Sequence, residues 1–103
     1  AVEWLRINES TSTVVFYEGF NKSILCASSP SNPSPTIRWW LDSVQMNDST
    51  EYHEMETIDG LYAGFSTIYM NFNRVDRKRE ILCDAYICGQ DPVSSKRLRI
   101  DIW

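Results

Sequence analysis

The side chains able to do chemistry in this chain are few. They are three cysteines, Cys26, Cys83 and Cys88, a single histidine, His53, and a run of carboxylates at Asp48, Glu51, Glu54, Glu56 and Asp59. Nucleophilic catalysis would have to be built around His53, because a thiol or hydroxyl nucleophile needs a base within hydrogen-bond reach. His53 stands in the acidic stretch STEYHEMET, which reads as a strand or loop in water. The carboxylates lack the ligand spacing of a calcium loop, so they too read as solvated surface. Arg74, Arg77, Lys78 and Arg79 cluster in RVDRKRE as a candidate anion site, whose simpler reading is a solvated turn. No enzymatic site, metal or cofactor is expected. The thiols carry the remaining chemistry, and three of them cannot all pair with one another.

Which two pair depends on the elements that hold them. TVVFYEG is β-branched and aromatic, and four further runs alternate with period two. In TIRWWLD, Ile37, Trp39 and Leu41 alternate with Arg38, Trp40 and Asp42; in STIYMNF, Ile68, Met70 and Phe72 alternate with Tyr69 and Asn71. In EILCDAYI, Ile81, Cys83, Ala85 and Ile87 alternate with Leu82, Asp84 and Tyr86; in RLRIDIW, Leu98, Ile100 and Ile102 alternate with Arg97, Arg99 and Asp101. Turn-rich clusters separate them: SSPSNPSP, DSVQMNDS, IDG, RVDRKR and CGQDPVSS. No stretch keeps a helical period, so short half-buried strands packed as an antiparallel sandwich or barrel are predicted. In that phase Cys83 points inward, as does Cys26 beside Ile24, whereas Cys88 falls out of phase and faces solvent. A bridge from Cys83 to Cys88 would need the strand to double back on itself. Cys26 and Cys83 are therefore expected to bridge two sheets about 10 Å apart, with Trp39 packed on the sulfurs and Cys88 left over.

At 103 residues the chain is read as a single domain over 1–103. With 43% hydrophobic and 13% aromatic residues it is too apolar for a disordered segment. A net charge of −4 removes the basic surface on which nucleic-acid affinity rests, so no nucleic-acid partner is expected. The apolar runs are too short to span a bilayer, and any membrane attachment is expected to come from segments absent from this chain. Asn8, Asn21 and Asn47 each open an Asn-x-Ser acceptor, which points to a secreted or cell-surface setting.

The motifs EGFNKSILC, NPSPTIRWW and STIYMNFNRVDRKREILCDAY resemble, in order, the strand B entry, the B to C connection with its core Trp, and the E to F region of the immunoglobulin superfamily. The resemblance covers essentially the whole chain and is greatest for C2/I-type domains of adhesion proteins such as nephrin, nectin and the sidestep family. It implies an all-β, immunoglobulin-like antiparallel sandwich of two sheets with Greek-key connections, excised from a multidomain extracellular protein. The sequence departs from the family pattern at Ile81, where a tyrosine would tie down the E to F turn, at DRKRE in that turn, and at Lys22, which needs a strand end from which to snorkel.

Alternation also gathers Arg38, Trp40, Asp42, Leu82, Asp84, Tyr86, Arg97 and Arg99 on one outer surface, that of strands C, F and G in the family's lettering. Trp, Tyr and Arg are the types enriched at binding hot spots, and Trp40 has no core role once Trp39 takes it. The expected function is recognition of another protein through this face, a receptor or ligand on another cell or a second copy of the chain as a homodimer. The alternative is a spacer module whose Trp40 is covered from within its own polypeptide. Cys88 is placed at the rim of the face, either free or bonded outside the domain. Secretion from a eukaryotic host is expected to add glycan to at least one of Asn8, Asn21 and Asn47, and glycosidase digestion followed by intact mass should show the loss; an unchanged mass removes the support for a secreted setting.

Overall fold

Period-two alternation sends one side of each long strand into a shared interior. The computed structural model describes residues 2–103. The strands are β1 Leu5–Ile7, β2 Thr13–Phe16, β3 Lys22–Ser28, β4 Thr36–Leu41, β5 Val44–Met46, β6 Thr50–Glu56, β7 Tyr62–Met70, β8 Glu80–Tyr86, β9 Val93–Ser94 and β10 Leu98–Ile102. One sheet runs β1–β3–β7–β6; the other runs β2–β10–β8–β4–β5, with β9 also paired to β8. Val14, Phe16, Ile24, Trp39, Leu41, Ile68, Ile81, Leu98, Ile100 and Ile102 fill the space between them. The fold is thus the expected all-β sandwich of immunoglobulin type.

Cys26 on β3 and Cys83 on β8 are bonded to each other, one from each sheet, with their Cα atoms 6.5 Å apart. Trp39 is the register partner of Cys83 and lies buried in the same cluster. Its indole N–H donates to Ser66 Oγ at 3.0 Å. Ser66 stands opposite Cys26 in the β3–β7 ladder, so the covalent and the hydrogen-bonded links between the sheets are neighbours. An indole buried without an acceptor would cost about 1–3 kcal/mol, and Ser66 removes that penalty.

Three features depart from the period-two reading. The chain moves from one sheet to the other between β1 and β2, and β2 pairs with β10 in parallel, whereas all pairs were expected to be antiparallel. Between β9 and β10 the register with β8 slips by one residue. This is a bulge at which Ser95 Oγ accepts the Cys83 N–H at 3.0 Å and keeps the core phase of Leu98 onward. The polar segments around Asn47 carry two strands, β5 and β6, instead of loop alone. β6 is exposed at every position, because it forms by pairing with β7 and not by burial. As an edge strand it has Glu54 and Glu56 in the inward phase, opposite Gly64 and Tyr62, a placement of charge that discourages pairing with another chain.

The turn between β7 and β8 holds without the tyrosine hydroxyl. Asn73 and Asp76 cap the single helical turn Arg74–Asp76 reciprocally. Arg79 donates to Asp42 at 2.8 Å and to Asp76 at 2.9 Å, while Ile81 sits in the core where the tyrosine was missing. Lys22 is half-buried at the first position of β3, the strand end that its side chain requires.

The disulfide closes a loop across a sequence separation of 57, and Cys26→Ala with Cys83→Ala should lower stability by about 4 kcal/mol on the loop-entropy estimate. Urea unfolding of the double variant is the check. A loss well under 1 kcal/mol would mean that Trp39 and the surrounding aliphatics hold the sheets together unaided.

Candidate functional site

The outer face of β4, β8 and β10 is built around one charged pair. Register sets Arg38 opposite Asp84, Trp40 opposite Leu82 and Thr36 opposite Tyr86. Arg38 Nε and Nη2 donate to the two Asp84 carboxylate oxygens, each at 2.8 Å, in the parallel geometry that suits a guanidinium to a carboxylate. The same guanidinium lies 4.4 Å from the Tyr86 ring centroid and 5.2 Å from that of Trp40. Arg38 is thereby fixed by a bidentate salt bridge and by two aromatic faces. The Asp84 hydrogen bond raises the Arg38 pKa further above its already high value, so Arg38 stays a cation.

Asp84 points outward, as alternation assigns it, but it is only 6% exposed because the Arg38 side chain closes over it. Trp40 and Tyr86 are half-buried by the same arrangement. The Trp40 indole N–H is enclosed and has no hydrogen-bond partner among the described residues. Beside it an open groove of about 470 Å³ runs over Trp40 and Leu82 between Asp42, Glu80, Asp84 and Arg97. Asp42, in the hairpin turn after β4, accepts the Glu80 N–H at 2.9 Å and the Arg79 Nε–H at 2.8 Å. These two bonds, the backbone one first, hold its carboxyl below the ordinary range.

Arg97 and Arg99 are exposed at the edge of this face, Arg97 lying 3.7 Å from Glu80 and Arg99 opposite Glu80 in the ladder. The structure therefore brings Arg38, Trp40 and Tyr86 into contact around Asp84 and leaves Arg97 and Arg99 apart, exposed beside Glu80. Alternation places Asp84 on this surface but not among the contact residues; its pairing with Arg38 becomes visible only with the register. Ser66, which sequence reasoning missed, stands in the inward phase of Ile68 and Met70.

The remaining candidates lie elsewhere. Cys88 is exposed and unbonded, two positions beyond the end of β8 and next to Gly89, whose φ of 85 makes the turn. Asn8 and Asn21 are exposed, each with its carbonyl oxygen engaged, by the Leu25 N–H at 2.8 Å and by Asn71 Nδ2 at 3.1 Å. Asn47 lies exposed between β5 and β6. The basic turn offers little free charge, since Arg74, Arg77 and Arg79 pair with Glu18, Asp101 and the Asp42–Asp76 couple. Among the described residues no group of three or more His, Cys, Asp or Glu is placed to hold a metal ion, and no helix is long and apolar enough to cross a membrane.

Comparison with known proteins agrees with this architecture. The crystal structure of Rst D1-D2 superposes with a TM-score of 0.89 at 17% identity, covering 99% of this chain and 49% of that one. The full ectodomain (Ig1–Ig3) of mouse nectin-like molecule 4 superposes with a TM-score of 0.68 at 17% identity, covering 96% of this chain and 33% of that one. The chain thus spans about half of the first structure and a third of the second. No curated protein matches it in sequence. The profile of the CD80-like C2-set immunoglobulin domain matches residues 4–86, from the segment before β1 to the end of β8 and including both bonded cysteines. The chain belongs to the CD80-like C2-set immunoglobulin domain family.

Proposed function

We propose that this domain is an extracellular protein-recognition module of a cell-surface adhesion or receptor protein, and that it binds its protein partner through the outer face of β4, β8 and β10. The observation that carries this reading is the locking of Arg38 between Trp40 and Tyr86 by Asp84. Such a platform has its side-chain entropy removed before any partner arrives, which is where much of the cost of binding otherwise falls. The adjoining groove offers an apolar floor with charged walls of both signs, a composition suited to specific docking. Those mixed signs also make the face self-complementary, Arg97 and Arg99 of one copy against Glu80 and Asp42 of another, so a homodimer belongs to the same proposal. The exposure of Cys88 beyond β8 supports a disulfide to a neighbouring domain or chain over a free thiol as part of the same proposal.

A spacer role is favoured by one observation, that Trp40 is already half-covered by Arg38 and exposes less surface than an unshielded indole would. The two readings separate on substitution. Trp40→Ala should weaken binding of the full ectodomain to its protein partner, or its self-association in sedimentation, by about 2 kcal/mol; unchanged affinity transfers recognition to another face. Arg38→Ala should cost about 2 kcal/mol of stability in a urea titration, because it removes both charge-assisted hydrogen bonds to Asp84 and the cover over Trp40 and Tyr86. A cost near the value for an exposed ion pair, under about 1 kcal/mol, would show that Asp84 rehydrates freely and that the platform is not fixed.

A further inference from the structure

The outer face of the other sheet, β1–β3–β7–β6, carries an apolar strip along its two middle strands. β3 sends Ile24, Cys26 and Ser28 inward, so Ser23, Leu25 and Ala27 point outward. In the ladder with β7, Ser23 stands opposite Tyr69, Leu25 opposite Thr67 and Ala27 opposite Phe65. Leu25, Ala27 and Phe65 are half-buried by their neighbours on the sheet, and Tyr69 is 45% exposed. Apolar side chains adjoining across central strands are the kind of surface that a protein covers.

Two of the three Asn-x-Ser acceptors open onto this strip. Asn8 continues the outward phase of Arg6 past the end of β1. Its N–H donates to the Leu25 carbonyl at 3.0 Å and its Oδ1 accepts the Leu25 N–H at 2.8 Å. These bonds set it beside Leu25, one strand or about 5 Å away. Asn21 continues the outward phase of Ser23 before the start of β3, and its Oδ1 accepts from Asn71 Nδ2 at 3.1 Å. It lies four positions from Leu25, about 13 Å along the strand. In both asparagines the oxygen is engaged, whereas Nδ2, the atom that takes a sugar, makes no hydrogen bond among the described residues. None of the three acceptors stands on β4, β8 or β10, Asn47 lying between β5 and β6.

We propose that Asn8 and Asn21 both carry N-linked glycans whose first sugars lie over Leu25, Ala27 and Phe65, closing the outer face of β1–β3–β7–β6 to protein partners. This rests on the extracellular reading above, because the sugar donor, a lipid-pyrophosphate oligosaccharide, is met on the secretory route. Transfer forms the bond from Asn Nδ2 to C1 of the first sugar and breaks the bond from C1 to the pyrophosphate oxygen. The lipid pyrophosphate leaves with the bonding pair, and one amide proton is released. A pyranose ring has a face of C–H groups and a rim of hydroxyls, so it covers Leu25 and Phe65 while its hydroxyls stay in water. The paired bonds of Asn8 to Leu25 fix the root of one glycan beside the strip. The sandwich then has one sugar-covered face and one bare face, that of β4, β8 and β10.

The test uses the secreted protein with the acceptors broken at their serines, Ser10→Ala for Asn8 and Ser23→Ala for Asn21, which keeps both asparagines and their hydrogen bonds. Both serines are exposed, so the melting temperature of the unglycosylated fold should hold. Peptide mass mapping should find glycan at Asn8 and Asn21 in the parent and at neither in the double variant. Hydroxyl-radical footprinting read residue by residue should then show Leu25 and Phe65 oxidised several-fold faster in the double variant, with Trp40 unchanged. Asn47→Gln should leave the Leu25 and Phe65 rates as they are in the parent. A parent glycosylated at Asn47 alone, or equal Phe65 rates in the parent and the double variant, would overturn the proposal. So would protection in the parent that fades on dilution, which would make a second copy the cover. A secreted parent without glycan at any of the three sites would overturn it and remove the support for the extracellular reading as well. Trp40→Ala should leave the protection in place, so that loss of the recognition face and loss of the glycan cover are read separately.

Discussion

The distance between the two sheets is set at one place, where the Cys26–Cys83 bond and the Trp39–Ser66 hydrogen bond stand side by side. Both links join the middle strands, β3 and β7 on one side and β4 and β8 on the other, so the aliphatic side chains above and below have a defined gap to fill. A chain of this size buries too little apolar surface for a large margin of stability, and a covalent closure of this loop is comparable with much of the net stability of a small domain. The edges can then be irregular. β1 gives way to β2 across the sheets, the register with β8 slips between β9 and β10, and β6 lies almost wholly in water, all without loss of the core phase.

From that fixed centre the outer face follows by alternation. Each strand that sends Trp39, Cys83 or Leu98 inward must send Trp40, Asp84 or Arg97 outward, so the inner pin also fixes the register in which Arg38 meets Asp84. The ion pairs of the domain then divide by burial. Those of Arg74, Arg77 and Arg97 are held among exposed side chains and contribute at most about 1 kcal/mol each. Arg38–Asp84 is different because Asp84 is enclosed, and its effect is less a gain in stability than a fixed geometry for Trp40 and Tyr86.

What was legible in the sequence was whatever burial dictates. Ile81, Cys83, Ala85 and Ile87 announce their strand and its inner side because the core must be apolar, and the disulfide follows from that phase. β5 was read as a turn cluster and β6 only as a solvated strand or loop, because pairing with β4 and β7 forms them without a buried face, so they leave no periodic trace. The parallel pair of β2 and β10 was hidden for a related reason: TVVF specifies a strand but not its neighbour. Asp84 was placed outward by alternation, and only the cross-strand register supplies the arginine that covers it. The basic turn looked like free positive charge, yet its carboxylate partners come from Glu18, Asp42 and Asp101, which are distant in sequence.

Those same distant pairs join two parts of the surface. Arg79 ties the turn before β8 to Asp42 at the margin of the groove, while Lys78 N–H and Arg77 hold that turn to the Ile100 and Ile102 carbonyls of β10. The turn is therefore braced against the outer face of β4, β8 and β10 on one side and against the Trp103 end on the other. Exposed ion pairs are too weak to transmit a large change in affinity from one to the other. They are strong enough, acting together with the backbone bonds, to keep the two surfaces at a constant relative orientation.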